Sequence, residues 1–243
     1  MREVRYRSIA DELRGRVEAG EFGRGRLLPS ESELSTAYGV SRVTVRKALE
    51  LLRDEGLIDA RQGFGWFVAT DPVRQSLARL GTIEEQLEAL GSASERRIVS
   101  FGVVPAPPRA RQVLGAGSVL EARRVNLADG EPFARVTVWC PEDVAAGLSR
   151  AEVQRAPFYD LVGAAIGSAT QTIGAVAAGP EDAALLAVPV GSPMLRCERI
   201  TRDARESPVL LSEFVFPAHR TEFVVELNRV EPSIGPSGLR LVQ

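Results

Sequence analysis

Between Leu28 and Val68 the hydrophobic period runs helix, helix, strand, and that order restricts the fold more than any other feature of the chain. From Ser41 to Glu55 the apolar residues Val45, Ala48, Leu49 and Leu52 stand at i, i+3, i+4 and i+7, one stripe of an α-helix. Arg42, Thr44, Arg46, Lys47 and Arg53 fall off that stripe and are expected to face outward. Arg42 and Arg46 lie one turn apart, so both reach the same surface. Ser41 can cap the first turn and Gly56 can end the last. A shorter helix precedes this one. It opens at Pro29 and Ser30 with Glu33 three residues on, a capping box, and Leu34, Ala37 and Tyr38 give it an inward face. Gly39 and Val40 turn directly into the longer helix. After Gly56, Leu57–Arg61 and Trp66–Val68 are strand-like runs around a Gly-rich turn, which predicts a β-hairpin. Two short helices on a tight turn, the second basic near its start, followed by a hairpin, make a winged helix-turn-helix.

That arrangement assigns DNA contacts. Arg42 and Arg46 are expected to reach guanine edges in the major groove, because arginine pairs bidentately with the two acceptors of guanine. Thr44 and Ser32 are expected at phosphates or a neighbouring base. Ser30, Ser41 and Val43 complete the set at the helix starts. Arg61, Gln62 and Gly63 at the wing tip are expected to approach the minor groove, with Gly63 and Gly65 permitting close backbone approach. Two plainer readings stand beside these: Arg46 paired with Glu50 one turn on, and the wing tip as a generic polar turn.

Three segments within this stretch, Leu28–Leu34, Tyr38–Leu49 and Leu52–Ile58, followed by the Gly-rich wing, resemble the DNA-binding domain of the GntR family of bacterial transcriptional regulators. An unspecialised amphipathic helix pair accounts for the stripe but not for the order of capping box, turn, basic helix and wing.

Charge is consistent with a local nucleic-acid footprint. The net charge is −2. Residues 1–70 carry 12 basic and 11 acidic residues, the remainder 18 and 21, so basicity is concentrated in one helix and the wing rather than spread over the chain. Lys47 is the only lysine. At 243 residues, 44% apolar and 26% charged, the composition is that of an ordinary globular protein of one large or two small domains. No run approaches the roughly 18 apolar residues of a membrane span, and the N-terminus lacks a signal-peptide core; a cytoplasmic protein without membrane partner is expected. Cys140 and Cys197 read as reduced, packed thiols. His219 is the only histidine. A histidine metal cluster or a serine–histidine–aspartate triad with a spare orienting histidine cannot be built, and the all-helical, metal-binding branch of the family is excluded. Neither metal nor cofactor is expected.

Along the chain, Ile9, Leu13 and Val17 predict a first helix over 6–19, and Phe22–Pro29 a loop. Residues 1–69 form the winged helix-turn-helix domain in this reading and 70–81 a linker around Asp71–Pro72. Thr82–Leu90 reads as a helix with a Thr82/Glu85 capping box. There follow a strand Ile98–Val104, a helix Pro107–Gly115, a hairpin of Val119–Leu127 with Phe133–Trp139, a helix Ala156–Ile166, a strand Gln171–Ala178, a helix Pro180–Ala187 and a second hairpin, Met194–Asp203 with Val209–Phe216. Glu222–Asn228 is expected to close the sheet, and 231–243 to be a tail. Strands gathered in hairpins with helices at intervals give an α+β class with an antiparallel sheet.

The order of residues 82–230 resembles the UTRA effector-binding domain of the HutC-type branch of the GntR family. The resemblance is carried by Val103–Ala106, the hairpin Arg123–Pro132, the strand end Trp139–Pro141, the helix start Pro157–Leu161 and the strand through Ser212–Phe214. It implies a chorismate lyase-like fold, a small-molecule effector, a homodimer and a near-palindromic double-stranded operator. It implies a regulator, taken as a repressor, rather than an enzyme. A second domain that only dimerises, or a lyase-like activity, are the alternatives. The family's phosphate-binding Arg-x-Arg falls on Arg124 and Asn126. The acid after the turn falls on Val136, with Arg135 beside it on the opposite strand face. The serine that starts the next helix falls on Pro157 and the late tyrosine on Thr221, while Glu213 is kept. The resemblance thus implies an effector set of Arg124, Asn126, Arg135, Glu213 and Thr221, altered so that a sugar phosphate is not bound in the familiar way. Arg124 is the candidate clamp for a single anionic group; a structural Arg124–Glu213 ion pair is the plainer alternative.

Overall fold

The structure, a computed structural model, describes residues 2–23, 25–61, 65–69, 72–77, 81–162 and 166–227. The wing tip expected at Gln62 and Gly63, the side chain of Arg61, the start of the linker at 70–71 and the tail 231–243 lie outside the described residues.

The N-terminal part is α1 (Arg2–Glu18), α2 (Glu31–Tyr38), α3 (Arg42–Asp54) and the antiparallel pair β1 (Ile58–Arg61) and β2 (Gly65–Val68). The expected stripe is its core. Val45, Ala48, Leu49 and Leu52 of α3 are fully buried and pack with Ile9, Ala10 and Leu13 of α1, Leu34 of α2 and Ile58 of β1. Ser30 Oγ accepts from the Glu33 amide and the Glu33 carboxylate accepts from the Ser30 amide, closing the capping box. Gly39 ends α2 at φ 60°, a left-handed position that glycine takes without steric penalty. The segment expected as a plain loop before α2 is not one. Leu28 N donates to Trp66 O (2.8 Å), Val68 N to Arg26 O (2.9 Å) and Gly25 N to Val68 O (3.1 Å), so 25–28 runs beside β2 and widens the wing.

The C-terminal part contains β3 (Val73–Ser76), α4 (Ile83–Ala89), β4 (Ser94–Pro105), α5 (Pro108–Leu114), β5 (Ser118–Ala128), β6 (Glu131–Pro141), α6 (Arg150–Arg155), α7 (Phe158–Leu161), β7 (Ile166–Ala177), α8 (Pro180–Leu186), β8 (Pro193–Asp203), β9 (Pro208–Pro217) and β10 (Thr221–Val224). Six strands form one antiparallel sheet in the order β4-β5-β6-β9-β8-β7. Alternation along the strands gives it two buried faces. One carries Leu120, Ala122, Val136 and Val138 against Ile83 and Leu87 of α4, Val153 of α6 and Phe158 of α7. The other carries Val125, Leu127, Met194 and Val215 against Ala183 and Leu186 of α8. Both cysteines are buried and free, and burial pushes their thiols up to about 12.

Two expectations are corrected, and one helix is added. Of the helix expected over Ala156–Ile166, the described residues form the single turn α7, and Ile166 belongs to β7; residues 163–165 lie outside the described residues, Pro157 restarts the helix and Ala156 is extended. A separate helix, α6, precedes it, capped by a Ser149/Glu152 box. The strand at Thr221–Val224 does not close the main sheet; it pairs in parallel with β3, inside the expected linker.

The two parts pack against each other on the α8 face. Phe67 of β2 is 2% exposed and belongs to the same cluster as Val125, Leu127, Leu186, Met194 and Val215. The ring of His219 meets it edge-on at 5.1 Å. The Gly25 carbonyl accepts from His219 Nε2 (2.8 Å) and from Arg220 Nε (3.1 Å) and Nη2 (2.8 Å). Arg220 Nη1 donates to Pro132 O (2.5 Å), and Arg26 pairs with Glu131. Burial pushes the Arg220 guanidinium down to about 10, which leaves it charged at neutral pH.

Candidate functional site

Two surfaces carry the chemistry, one on each part. On the first, α3 presents Arg42, Val43, Arg46 and Lys47 outward while Val45, Ala48 and Leu49 anchor it. Ser41 caps the helix by accepting from the Thr44 amide (3.3 Å), and its hydroxyl lies 2.9 Å from that of Thr44. Thr44 is half-buried beside the cap and lies on the same surface as Ser41, Val43 and Lys47. Ser30 and Ser32 stand at the start of α2. Arg42 Nη2 donates to Ser32 Oγ (2.9 Å), a neutral partner. Arg46 pairs not with Glu50 but with Glu31, through Nε (2.9 Å) and Nη2 (2.7 Å). Arg46 holds the Glu31 carboxyl below its ordinary range, and the indole of Trp66 adds a hydrogen bond at 3.2 Å. The Arg46–Glu31 pair is largely solvent-exposed on the arginine side (59%), so solvent screens it and it holds the guanidinium only weakly. A bidentate arginine–guanine contact discriminates by about 1–3 kcal/mol. Val43 is 68% exposed, an apolar group at the helix start of the kind that meets a thymine methyl.

The second surface is a small cavity, about 30 Å³, between the sheet and the helices α4 and α7. It is lined by Glu84, Arg124, Tyr159, Arg199, Ser212 and Phe214 among others. That volume holds about one water molecule. Glu84 Oε1 accepts from Arg96 Nε (2.6 Å), Asn126 Nδ2 (2.6 Å) and Arg124 Nη2 (3.3 Å), and Arg124 Nε donates to Asn126 Oδ1 (3.1 Å). Burial alone would push the Glu84 carboxyl up; Arg124 and Arg96 outweigh it and hold Glu84 below its ordinary value. Burial lowers the Arg124 guanidinium, with Glu84 opposing the shift. Arg199 lies over the Phe214 ring at 5.0 Å and donates to Gln171, Gly81 O and Tyr159 Oη.

Of the five residues expected to share an effector site, the structure brings together Arg124 and Asn126. Arg135 and Glu213 lie on the opposite face of the sheet: Arg135 binds Asp182 (2.8 Å), Glu213 (2.6 Å) and Thr137 Oγ1 (3.0 Å). The Arg124–Glu213 ion pair does not form; Glu84 is the partner of Arg124. Thr221 is buried on β10 beside β3. Sequence reasoning missed Glu84, Tyr159 and Arg199. Glu84 sits in the first turn of a capped helix, where an acid is usually explained by the helix dipole. The available signal was its spacing: Leu87 is three residues on, so the carboxylate shares the inward face.

No group of three or more His, Cys, Asp or Glu side chains placed to hold a metal occurs among the described residues. No helix among them is long and apolar enough to cross a membrane.

Residues 5–68 match the family of bacterial regulatory proteins designated gntR, and residues 89–222 match the UTRA domain. The chain is 35% identical to the HTH-type transcriptional regulator Rv0792c of Mycobacterium tuberculosis, over 93% of this chain and 87% of the relative. It is 28% identical to the HTH-type transcriptional repressor NagR of Bacillus subtilis, over 93% and 95%. The crystal structure of PhnF from Mycobacterium smegmatis superposes with a TM-score of 0.62 at 25% identity, over 90% of this chain and 98% of that one. The order of capped helix, turn, basic helix and wing, the six-stranded sheet behind it and these matches converge: the chain belongs to the GntR family, and is a DNA-binding transcriptional regulator of the HutC type whose UTRA domain binds a small-molecule effector.

Proposed function

We propose that this regulator is a homodimeric repressor that reads a near-palindromic operator through Arg42 and Arg46, and that an effector in the Arg124 cavity controls it by changing how the winged part is docked. One observation carries the reading. On β5, Arg124 and Asn126 face the cavity, while the intervening Val125 and the following Leu127 face Phe67 of the wing. A ligand that favours one position of β5 therefore has a differential contact with the two docking arrangements, which is what an allosteric effect requires. The working units are residues 1–69, a linker 70–81, an effector and dimerisation unit 82–230 and a tail 231–243. Dimerisation is supported by β7, last in the sheet order, which exposes Ile173 and Val176. Two linked recognition helices read two half-sites and add their binding free energies. The wing approaches the minor groove beside them.

Replacing Arg42 with Ala is expected to cost about 1–3 kcal/mol of operator affinity, about fivefold to beyond a hundredfold, and to narrow the gap between operator and random DNA. Fluorescence anisotropy with both duplexes measures it; unchanged affinities for the two would sink the assignment of α3. In the same titrations the complex is expected to hold two chains per operator, and a monomer covering one half-site would rule out the dimer.

A further inference from the structure

Two buried side-chain atoms on the cavity floor have no hydrogen-bond partner: Arg124 Nη1 and Glu84 Oε2. Both side chains are more than nine-tenths buried, 7% and 5% exposed, and both line the cavity. The atoms beside them are taken. Glu84 Oε1 already collects three donors, and Arg124 Nε and Nη2 already serve Asn126 and Glu84. The pair thus presents one open donor and one open acceptor. Leaving such atoms unsatisfied in the interior is costly, so a ligand that serves both is selected over one that serves only one.

A carboxylate serves one. Its oxygens accept from Arg124 Nη1 but offer nothing to Glu84 Oε2, and they bring a like charge against the Glu84 carboxylate. A phosphate that keeps a P–O–H can donate to Glu84 Oε2, but it brings the same like charge. An ammonium serves only the other. A hydroxyl, or a primary carboxamide, donates and accepts at once. We propose that Glu84 is the specificity-determining residue of the cavity: shared between Arg96 and Arg124, it offsets part of their charge and selects a phosphate-free ligand whose hydroxyl or carboxamide sits between Arg124 Nη1 and Glu84 Oε2. Sugars, polyols, hydroxy acids and amides carry such groups. This rests on the reading of the cavity as the effector site.

The test uses inorganic phosphate as the probe on the full-length protein, by isothermal titration calorimetry without DNA. Glu84→Gln keeps the shape of the side chain and removes the opposing charge. It is expected to bind phosphate at least tenfold more tightly than the wild type, and the added Arg124→Ala change is expected to abolish that gain. Equal phosphate binding by wild type and Glu84→Gln, or none by either, overturns the proposal. Should Glu84→Gln fail to fold, wild type titrated in solution with phosphate and with glycerol decides: tighter binding of phosphate overturns the proposal, and tighter binding of glycerol supports it. The effector reading fails separately. It falls if a metabolite releases wild type and Arg124→Ala from the operator at the same concentration, whatever the phosphate result.

Discussion

Replacing Phe67 with Ala is expected to lower the unfolding free energy by about 3–5 kcal/mol, the usual cost of truncating a buried aromatic residue. Phe67 belongs to a wing strand yet is 2% exposed, because its ring is packed among Val125, Leu127, Leu186, Met194 and Val215. The loss therefore falls on the joint between the two parts and not on the helix-turn-helix core. Chemical denaturation of the full chain is expected to change from one transition to two, the winged part melting first. Operator release by an effector is expected to weaken in the same variant, while operator affinity without effector stays within a few-fold of wild type. A stability loss under 1 kcal/mol with a single transition would show that the ring does not join the parts.

Leu49→Ala is expected to cost about 2–5 kcal/mol, from lost apolar transfer and the cavity left behind. Leu49 is fully buried at the centre of α3, among α1, α2 and β1. The three-helix core is small, so a loss of this size is a large fraction of its stability. Operator binding at 37 °C is expected to disappear while the six-stranded sheet retains its circular dichroism. Full operator binding in a Leu49→Ala protein would mean that the recognition helix does not depend on this core.

Residues 28–68 were legible in the sequence because every signal there is local. The stripe Val45–Leu52, the Ser30/Glu33 box and Gly39 each act within one or two turns, and the structure forms them where periodicity and capping put them. The errors came where partner choice is long-range. Thr221–Val224 has strand-like residues, but nothing in them says that the neighbour is β3 rather than the main sheet. Around Ala156 the Ala-rich run concealed the break at Pro157, and the Ser149/Glu152 box went unread. The effector residues divide the same way. Arg124 and Asn126, two apart on one strand, share a face by pleat alone, whereas Arg135 and Glu213 are held on the far face by Asp182 of α8. For Glu84 the spacing to Leu87 showed the inward face but not its partners, because Arg96, Arg124 and Asn126 come from two strands that pair only in the folded sheet.

The pleat of β5 also separates two kinds of heritable change. Positions 120, 122, 124 and 126 look toward the cavity side, and 123, 125 and 127 toward α8 and the wing. On the proposed reading, a library confined to the even positions is expected to change what is sensed, and one confined to the odd positions to change how the response reaches the wing. A single strand of eleven residues is then where sensing and response meet, and a change on one face is felt on the other.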